Sequence, residues 1–166
     1  SMQGYFSIYA DGIGYGVSVT QASYVNKQAS AIAGVDLLRA SKEFACENDI
    51  KLNDQLFTTG YSAGGYGTMA FHQVVDEDYS DEFTITANAP LAGPYALDQM
   101  ALRIFSNGVY SQPYYLGFAL WGYILATGDN DALNRWVNPK YKDAIFNMFN
   151  GEFSGGQIND ALNDTM

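Results

Sequence analysis

The sequence has 166 residues and a formal net charge of −10, from 18 acidic and 8 basic side chains. This length predicts one domain with a sizeable core, and the 48% of apolar residues excludes a disordered chain. Nucleic acid is excluded as a partner, because phosphate binding needs clustered cations. A membrane span is not expected, since no stretch approaches the roughly 20 apolar residues that one needs. The single cysteine, Cys46, excludes an internal disulfide and a cysteine-based metal cluster, and we expect it to be a small buried residue.

The first half of the chain alternates predicted strands and helices. The predicted segments are a strand at Tyr5–Ala10, a helix at Val25–Cys46, a strand at Gln55–Thr59, a helix to about Val75 and a strand at Phe83–Ala89. This order predicts two βαβ units and a parallel sheet with right-handed crossovers. The glycines of Asp11–Gly16 are too closely spaced for a dinucleotide-binding loop, and we expect neither a cofactor nor a metal.

From Leu97 onward the pattern predicts only helices. They are Ala96–Asn107, Tyr114–Thr127, Asp131–Val137 and Tyr141–Phe149, followed by a polar tail that predicts a frayed helix. The segment Tyr114–Thr127 is apolar nearly all round, which is typical of a core helix, of a helix buried in an assembly, or of a lid over an apolar pocket. We therefore predict an α/β core in residues 1–96 and a helical cap in residues 97–166.

One short motif stands between a predicted strand and a predicted helix, and it reads Gly60-Tyr61-Ser62-Ala63-Gly64-Gly65. A serine on such a sharp turn has strained backbone angles and an exposed hydroxyl, which makes it a candidate nucleophile. We expect the crowding of strand and helix to fall on Gly60 and Gly64, with further relief at Gly65. The amide of Ala63 could donate to an oxyanion. Alternatively, Ser62 merely caps the helix.

Two further stretches flank this motif, Tyr9–Ser18 before it and Ala89–Tyr95 after it. In this order the three stretches resemble the middle of an α/β-hydrolase, in the secreted lipase and esterase branch of that superfamily. The resemblance covers roughly residues 4–100, and the helical remainder matches the lid by position. It implies a partial α/β-hydrolase core of about three parallel strands, an internal fragment of a longer chain, and a secreted or periplasmic protein.

In that superfamily a serine attacks the ester, a histidine takes its proton and a carboxylate orients the histidine. The resemblance makes Ser62 the nucleophile and Ala63 one oxyanion donor. Acid and histidine follow the lid in such proteins, so we expect this chain to be nearly inactive alone. The one histidine, His72, follows Ser62 by ten helical residues, about 15 Å, and is predicted to be structural. Asp98 is a less favoured candidate acid, and Asp11 is interpreted as a turn residue.

Three functions remain open. The first is a serine ester hydrolase acting on a small ester or a lipid, and the second is a serine peptidase or acyltransferase on the same fold. The third is a catalytically dead, hydrolase-like module that binds a ligand or a partner. An unpaired strand edge in so small a sheet also predicts a homo-oligomer or a complementing segment.

Overall fold

The computed structural model describes residues 4–18, 20–108, 110–150 and 152–163. The chain divides into two compact units. The first unit contains the described residues up to Gly12 together with Lys27–Pro94, and the second contains those of Ile13–Asn26 and from Tyr95 onward. Among the described residues, no helix has the length and apolar character to cross a membrane. The assignment of residues 97–166 as a lid stays a prediction.

The first unit is an α/β unit built from four elements. They are α1 (Lys27–Glu47), β1 (Phe57–Tyr61), α2 (Ala63–Asp78) and β2 (Ala87–Leu91). The two strands pair in parallel, from Phe57 opposite Ala87 to Tyr61 opposite Leu91, and α2 connects them. Helix α2 packs against both strands and against α1. The predicted α/β class and parallel pairing are therefore confirmed.

The core of the first unit lies between the two helices and the chain that leads into β2. Val35 and Leu38 of α1 meet Phe71 and Val75 of α2, and Phe83 closes the cluster. The spacing of three and four residues places each pair on one side of its helix, as the sequence periodicity predicts. Burial of these side chains fixes α2, and α2 in turn fixes the turn that carries Ser62.

The predicted first strand, Tyr5–Ala10, is wrong. The segment pairs with no strand, and among the described residues the sheet has two strands rather than about three. Its aromatic rings make side-chain contacts instead, Tyr5 edge-on to Phe57 at 6.0 Å and Phe6 stacked on Phe44 at 6.4 Å. An apolar run predicts burial, but a strand also needs a neighbouring backbone, which no local pattern reveals.

The strands also lie later in the chain than predicted, and they are not buried on both faces. Their residues alternate between partly buried and exposed, and α2 covers only one face. Phe57, Tyr61 and Leu91 are exposed on the other face. Helix α2 runs on past its predicted end near Val75, so the acidic residues Asp76–Asp78 form its last turn.

The second unit is helical, as predicted. Its helices are α3 (Leu97–Ser106), α4 (Tyr114–Thr127), α5 (Ala132–Trp136), α6 (Pro139–Met148) and α7 (Gly155–Asn163). Helix α4 ends at Gly128, whose left-handed φ of 71° is the usual stop for a helix. Helix α6 begins at Pro139, and the Asn138 side chain accepts a hydrogen bond from the Lys140 amide.

One side of α4 belongs to the core of the second unit. Trp121 and Ile124 of α4 pack with Ile145 of α6, with Phe149 directly after α6, and with two residues of α7. The buried indole N–H of Trp121 donates to the Ile145 carbonyl at 3.1 Å. The core interpretation of this apolar helix is therefore correct for this side.

The segment Ile13–Asn26 approaches helix α4 very closely, at the contact between Tyr24 and Gly122. A Cβ placed on Gly122 would lie 1.9 Å from the Tyr24 carbonyl oxygen, so only glycine permits this approach. The Tyr24 ring stacks on Tyr115 at 6.1 Å. Burial raises the pKa of the Tyr24 phenol, with neighbouring tyrosines adding to the effect. The phenol therefore stays neutral within this aromatic cluster.

Candidate active site

Ser62 lies on the turn between β1 and α2 with a backbone conformation that non-glycine residues rarely adopt. Its φ is 56° and its ψ is −119°. Such a conformation costs on the order of 1–3 kcal/mol and persists only where the surroundings hold it. Two hydrogen bonds do so here. The Ser62 amide donates to the Leu91 carbonyl at 2.9 Å, and the Tyr66 amide donates to the Ser62 carbonyl at 3.1 Å.

The tightness of the turn falls on one glycine of the motif. A Cβ on Gly60 would lie 2.1 Å from the carbonyl oxygen of Gly64, a distance that Cβ atoms essentially never show. The expectation that Gly64 is equally crowded is wrong, because a Cβ there would meet no heavy atom within 4 Å. Gly64 contributes its backbone to the contact, and Gly65 is buried. Of these two glycines, therefore, only Gly60 lies where the strand and the helix are too close for a side chain.

The Ser62 side chain does not cap the helix that follows it. It occupies the N-cap position of α2 but makes no capping hydrogen bond. Ser62 is half-buried, and Ala63 is exposed as the first residue of α2. The N–H of a first helical residue has no acceptor within the helix, so the Ala63 amide can donate to an anion. The arrangement places a hydroxyl and a donor side by side in the sequence at a helix N-terminus.

His72 is held by residues other than Ser62. Its Nδ1 lies 3.1 Å from Nδ2 of Asn88, on β2, and its Nε2 lies 3.5 Å from Oδ2 of Asp76, one turn further along α2. An amide nitrogen can only donate, so Nδ1 accepts and the neutral ring carries its hydrogen on Nε2. Asn88 is fixed in turn, because Thr58 donates to its Oδ1 at 2.9 Å. These contacts give His72 a structural place in the first unit.

The remaining candidate residues are two aspartates and the single cysteine. Asp11 is exposed in the first unit, and Asp98 is exposed in the first turn of α3, in the second unit. Cys46 was expected to be buried but is exposed on α1. Among the described residues, no cluster of three or more histidine, cysteine and carboxylate side chains is placed to hold a metal ion.

The sequence did not predict the hydrogen bond that joins the end of β2 to the serine turn. Leu91 supplies the carbonyl that accepts the Ser62 amide, and the next residue, Ala92, has a positive φ of 49°. The residue directly after the strand therefore has a strained backbone too. No local pattern signals this, because the contact joins residues about thirty positions apart in the sequence.

The sequence matches no protein-family model and no curated protein. Solved structures do match. A candidate hydrolase from Legionella pneumophila aligns with a TM-score of 0.81 and 23% identity over 91% of this chain. The rice cell wall degrading esterase LipA from Xanthomonas oryzae aligns with a TM-score of 0.76 and 25% identity over 93%, and its ligand-bound form aligns with a TM-score of 0.75 and 24% identity. The chain has part of an α/β-hydrolase fold.

The resemblance stated from the sequence is thereby confirmed, and so is the partial nature of the hydrolase fold. This chain spans 41% of the Legionella protein and 42% of the Xanthomonas esterase. Both neighbours are named as hydrolases, one of them as an esterase, so the fold is one that supports ester hydrolysis.

Proposed function

We propose that Ser62 is the nucleophile of a carboxylic-ester hydrolase. The proposal rests on the geometry of Ser62 in a hydrolase fold. Ser62 lies between β1 and α2 with a strained backbone, and its side chain makes no capping hydrogen bond to the helix. In the proposed reaction the Ser62 hydroxyl attacks the ester carbonyl while a general base takes its proton. The Ala63 amide, at the positive end of the α2 dipole, donates to the developing oxyanion.

A second part of the proposal concerns the general base. Both ring nitrogens of His72 have other neighbours, Asn88 and Asp76. A histidine other than His72 would therefore take the proton in the active protein, with a carboxylate to orient it. Since His72 is the one histidine of these 166 residues, we expect them by themselves to turn over esters very slowly.

The proposed substrate is a small ester or a lipid ester. An esterase among the structural neighbours favours an ester over a peptide bond. A peptidase or acyltransferase on the same fold remains the enzymatic alternative, and residues 97–166 would act as the lid in either case. One observation favours the non-enzymatic alternative, a binding module derived from this fold. The His72 ring is already engaged by Asn88 and is therefore not free to serve as the general base.

The test combines a covalent probe with chemical rescue. A fluorophosphonate is incubated with the chain in the absence and presence of imidazole, which can stand in for a missing histidine, and the adduct is located by mass spectrometry. We expect an adduct on Ser62 whose rate rises with imidazole and which is absent in Ser62→Ala. The variant Ser80→Ala removes another hydroxyl from the same unit and should label normally. Equal labelling of Ser62→Ala would contradict the proposal, and no adduct with imidazole would favour the binding module.

A further inference from the structure

Two Asn-Gly pairs occur in the sequence, Asn107-Gly108 after α3 and Asn150-Gly151 after α6, and both belong to the second unit. In this dipeptide the main-chain nitrogen of the glycine can attack the side-chain carbonyl carbon of the asparagine, because glycine has no side chain to hinder the approach. A C–N bond forms, Nδ2 leaves as ammonia, and water opens the resulting succinimide to isoaspartate or aspartate. The reaction consumes only water, so its rate depends on how freely each pair can close the ring.

Asn107 and Gly108 form an open pair at the end of α3. Both residues are exposed, and a Cβ on Gly108 would meet no heavy atom within 4 Å. Of the residues that the structure describes, none bonds to the Asn107 side chain, and none accepts a hydrogen bond from the Gly108 amide, which is the attacking nitrogen. Gly108 has a φ of 68°, which glycine adopts without strain. The carbonyl carbon and the nitrogen can therefore turn toward each other through open space.

The Asn150 side chain is held at both of its polar atoms. Its Oδ1 accepts a hydrogen bond from the Glu152 amide at 3.0 Å, and its Nδ2 donates to the Glu152 carboxylate at 3.2 Å. Both bonds restrain the carbonyl carbon, and one of them holds the leaving group itself. The carboxylate also disfavours the amide anion that attacks, because like charges repel. The two pairs thus share one chemistry but differ in how strongly the fold restrains it.

We propose that Asn107 is a site of spontaneous deamidation in the folded protein and that Asn150 is protected from the same reaction. The modification needs neither an enzyme nor a cofactor, because the nucleophile and the leaving group both belong to this chain. It does not depend on Ser62. The proposal thus goes beyond the proposed esterase activity and can fail independently of it.

Deamidation changes the charge at a defined place in the second unit. The product is an isoaspartate or an aspartate at the C-cap of α3, so it adds a carboxylate where the helix dipole is negative. Phe105 and Gly108 lie on either side of Asn107 in the sequence, and both line a cavity of about 640 Å³ whose lining includes no charged side chain. The modification therefore introduces a charge beside an apolar cavity.

The first test follows both sites by peptide mapping and tandem mass spectrometry while the folded chain is incubated at neutral pH. We expect the mass gain of one deamidation to accumulate at Asn107 at least about tenfold faster than at Asn150, because the bonds to Glu152 must first be broken. In urea, where neither pair is held, the two sites should react at similar rates. Equal rates in the folded chain, or the same difference in urea, would overturn the proposal. Ser62→Ala should change neither rate.

The second test uses two substitutions at exposed positions, neither of which touches the core. Asn107→Gln lengthens the side chain by a methylene, which prevents closure of the succinimide ring, so the mass gain at this position should disappear. Glu152→Ala removes the carboxylate that holds Nδ2 of Asn150 and should raise the rate there about fivefold or more. A mass gain that persists at this position in Asn107→Gln, or an unchanged rate at Asn150 in Glu152→Ala, would contradict the assignment.

Discussion

The two glycines that frame the serine turn should respond to alanine with opposite signs. At Gly60 an added Cβ lies 2.1 Å from the Gly64 carbonyl oxygen, and because an ordinary contact begins at 3.4 Å the two must separate by about 1.3 Å. Forced overpacking costs about 1–3 kcal/mol, and neither the Cβ nor the carbonyl oxygen can move apart by rotation of a side chain. We therefore expect Gly60→Ala to lower the free energy of unfolding by about 3 kcal/mol. That is a large fraction of the 5–15 kcal/mol that stabilises a typical domain.

Gly64→Ala is the matched control because its Cβ would enter open space on a helix. Removing a glycine from a helical position commonly stabilises by about 0.4–1 kcal/mol through the unfolded chain. Urea unfolding followed by circular dichroism measures both variants, and the midpoints should move in opposite directions. If Gly60→Ala is as stable as the parent chain, or no less stable than Gly64→Ala, the close approach of strand and helix at Gly60 is refuted.

Three further predictions concern residues outside that contact. Ser62→Gly should be more stable than Ser62→Ala by about 1 kcal/mol in urea, because alanine keeps the strain that glycine relieves; equal stability would refute the strain. The Arg39 guanidinium holds the pKa of Glu82 below its usual value, so the stability from this pair is present at neutral pH and is lost as the pH falls below about 4.5. In Glu82→Gln the melting temperature should fall less between about pH 5 and 3 than it does in the parent chain. An unchanged dependence of melting temperature on pH would count against the pair. Asn159→Leu leaves the Tyr114 amide unpaired and should cost about 1–3 kcal/mol in urea unfolding, whereas no loss would mean that water replaces the bond.

The helices were predictable from sequence because their signals are local. Helix α4 begins and ends where predicted, since Pro113 precedes it and Gly128 follows it. The serine turn was predictable for a related reason. A glycine two residues before Ser62 permits an approach that no other residue could make.

The strands and the polar contacts of the site depend on residues far apart in the chain. Tyr5–Ala10 has the composition of a strand, but its rings contact Phe57 and Phe44 and the segment joins no sheet. The contact of His72 with Asn88 and that of Ser62 with Leu91 join residues on different elements. A single sequence fixes neither, because both follow from how α2 lies on the sheet.

The geometry of Ser62 distinguishes a nucleophile from a helix cap more sharply than the motif does. A capping serine gains a hydrogen bond to the helix and normally adopts an extended backbone with negative φ. Ser62 has the opposite combination, a strained backbone with positive φ and no capping bond. The strain therefore brings no local stabilisation through the side chain, and it is held by the Leu91 carbonyl and by the close contact at Gly60. Backbone strain that brings no stabilising interaction is characteristic of functional sites. The proposal therefore rests on the backbone conformation of Ser62 as much as on its hydroxyl.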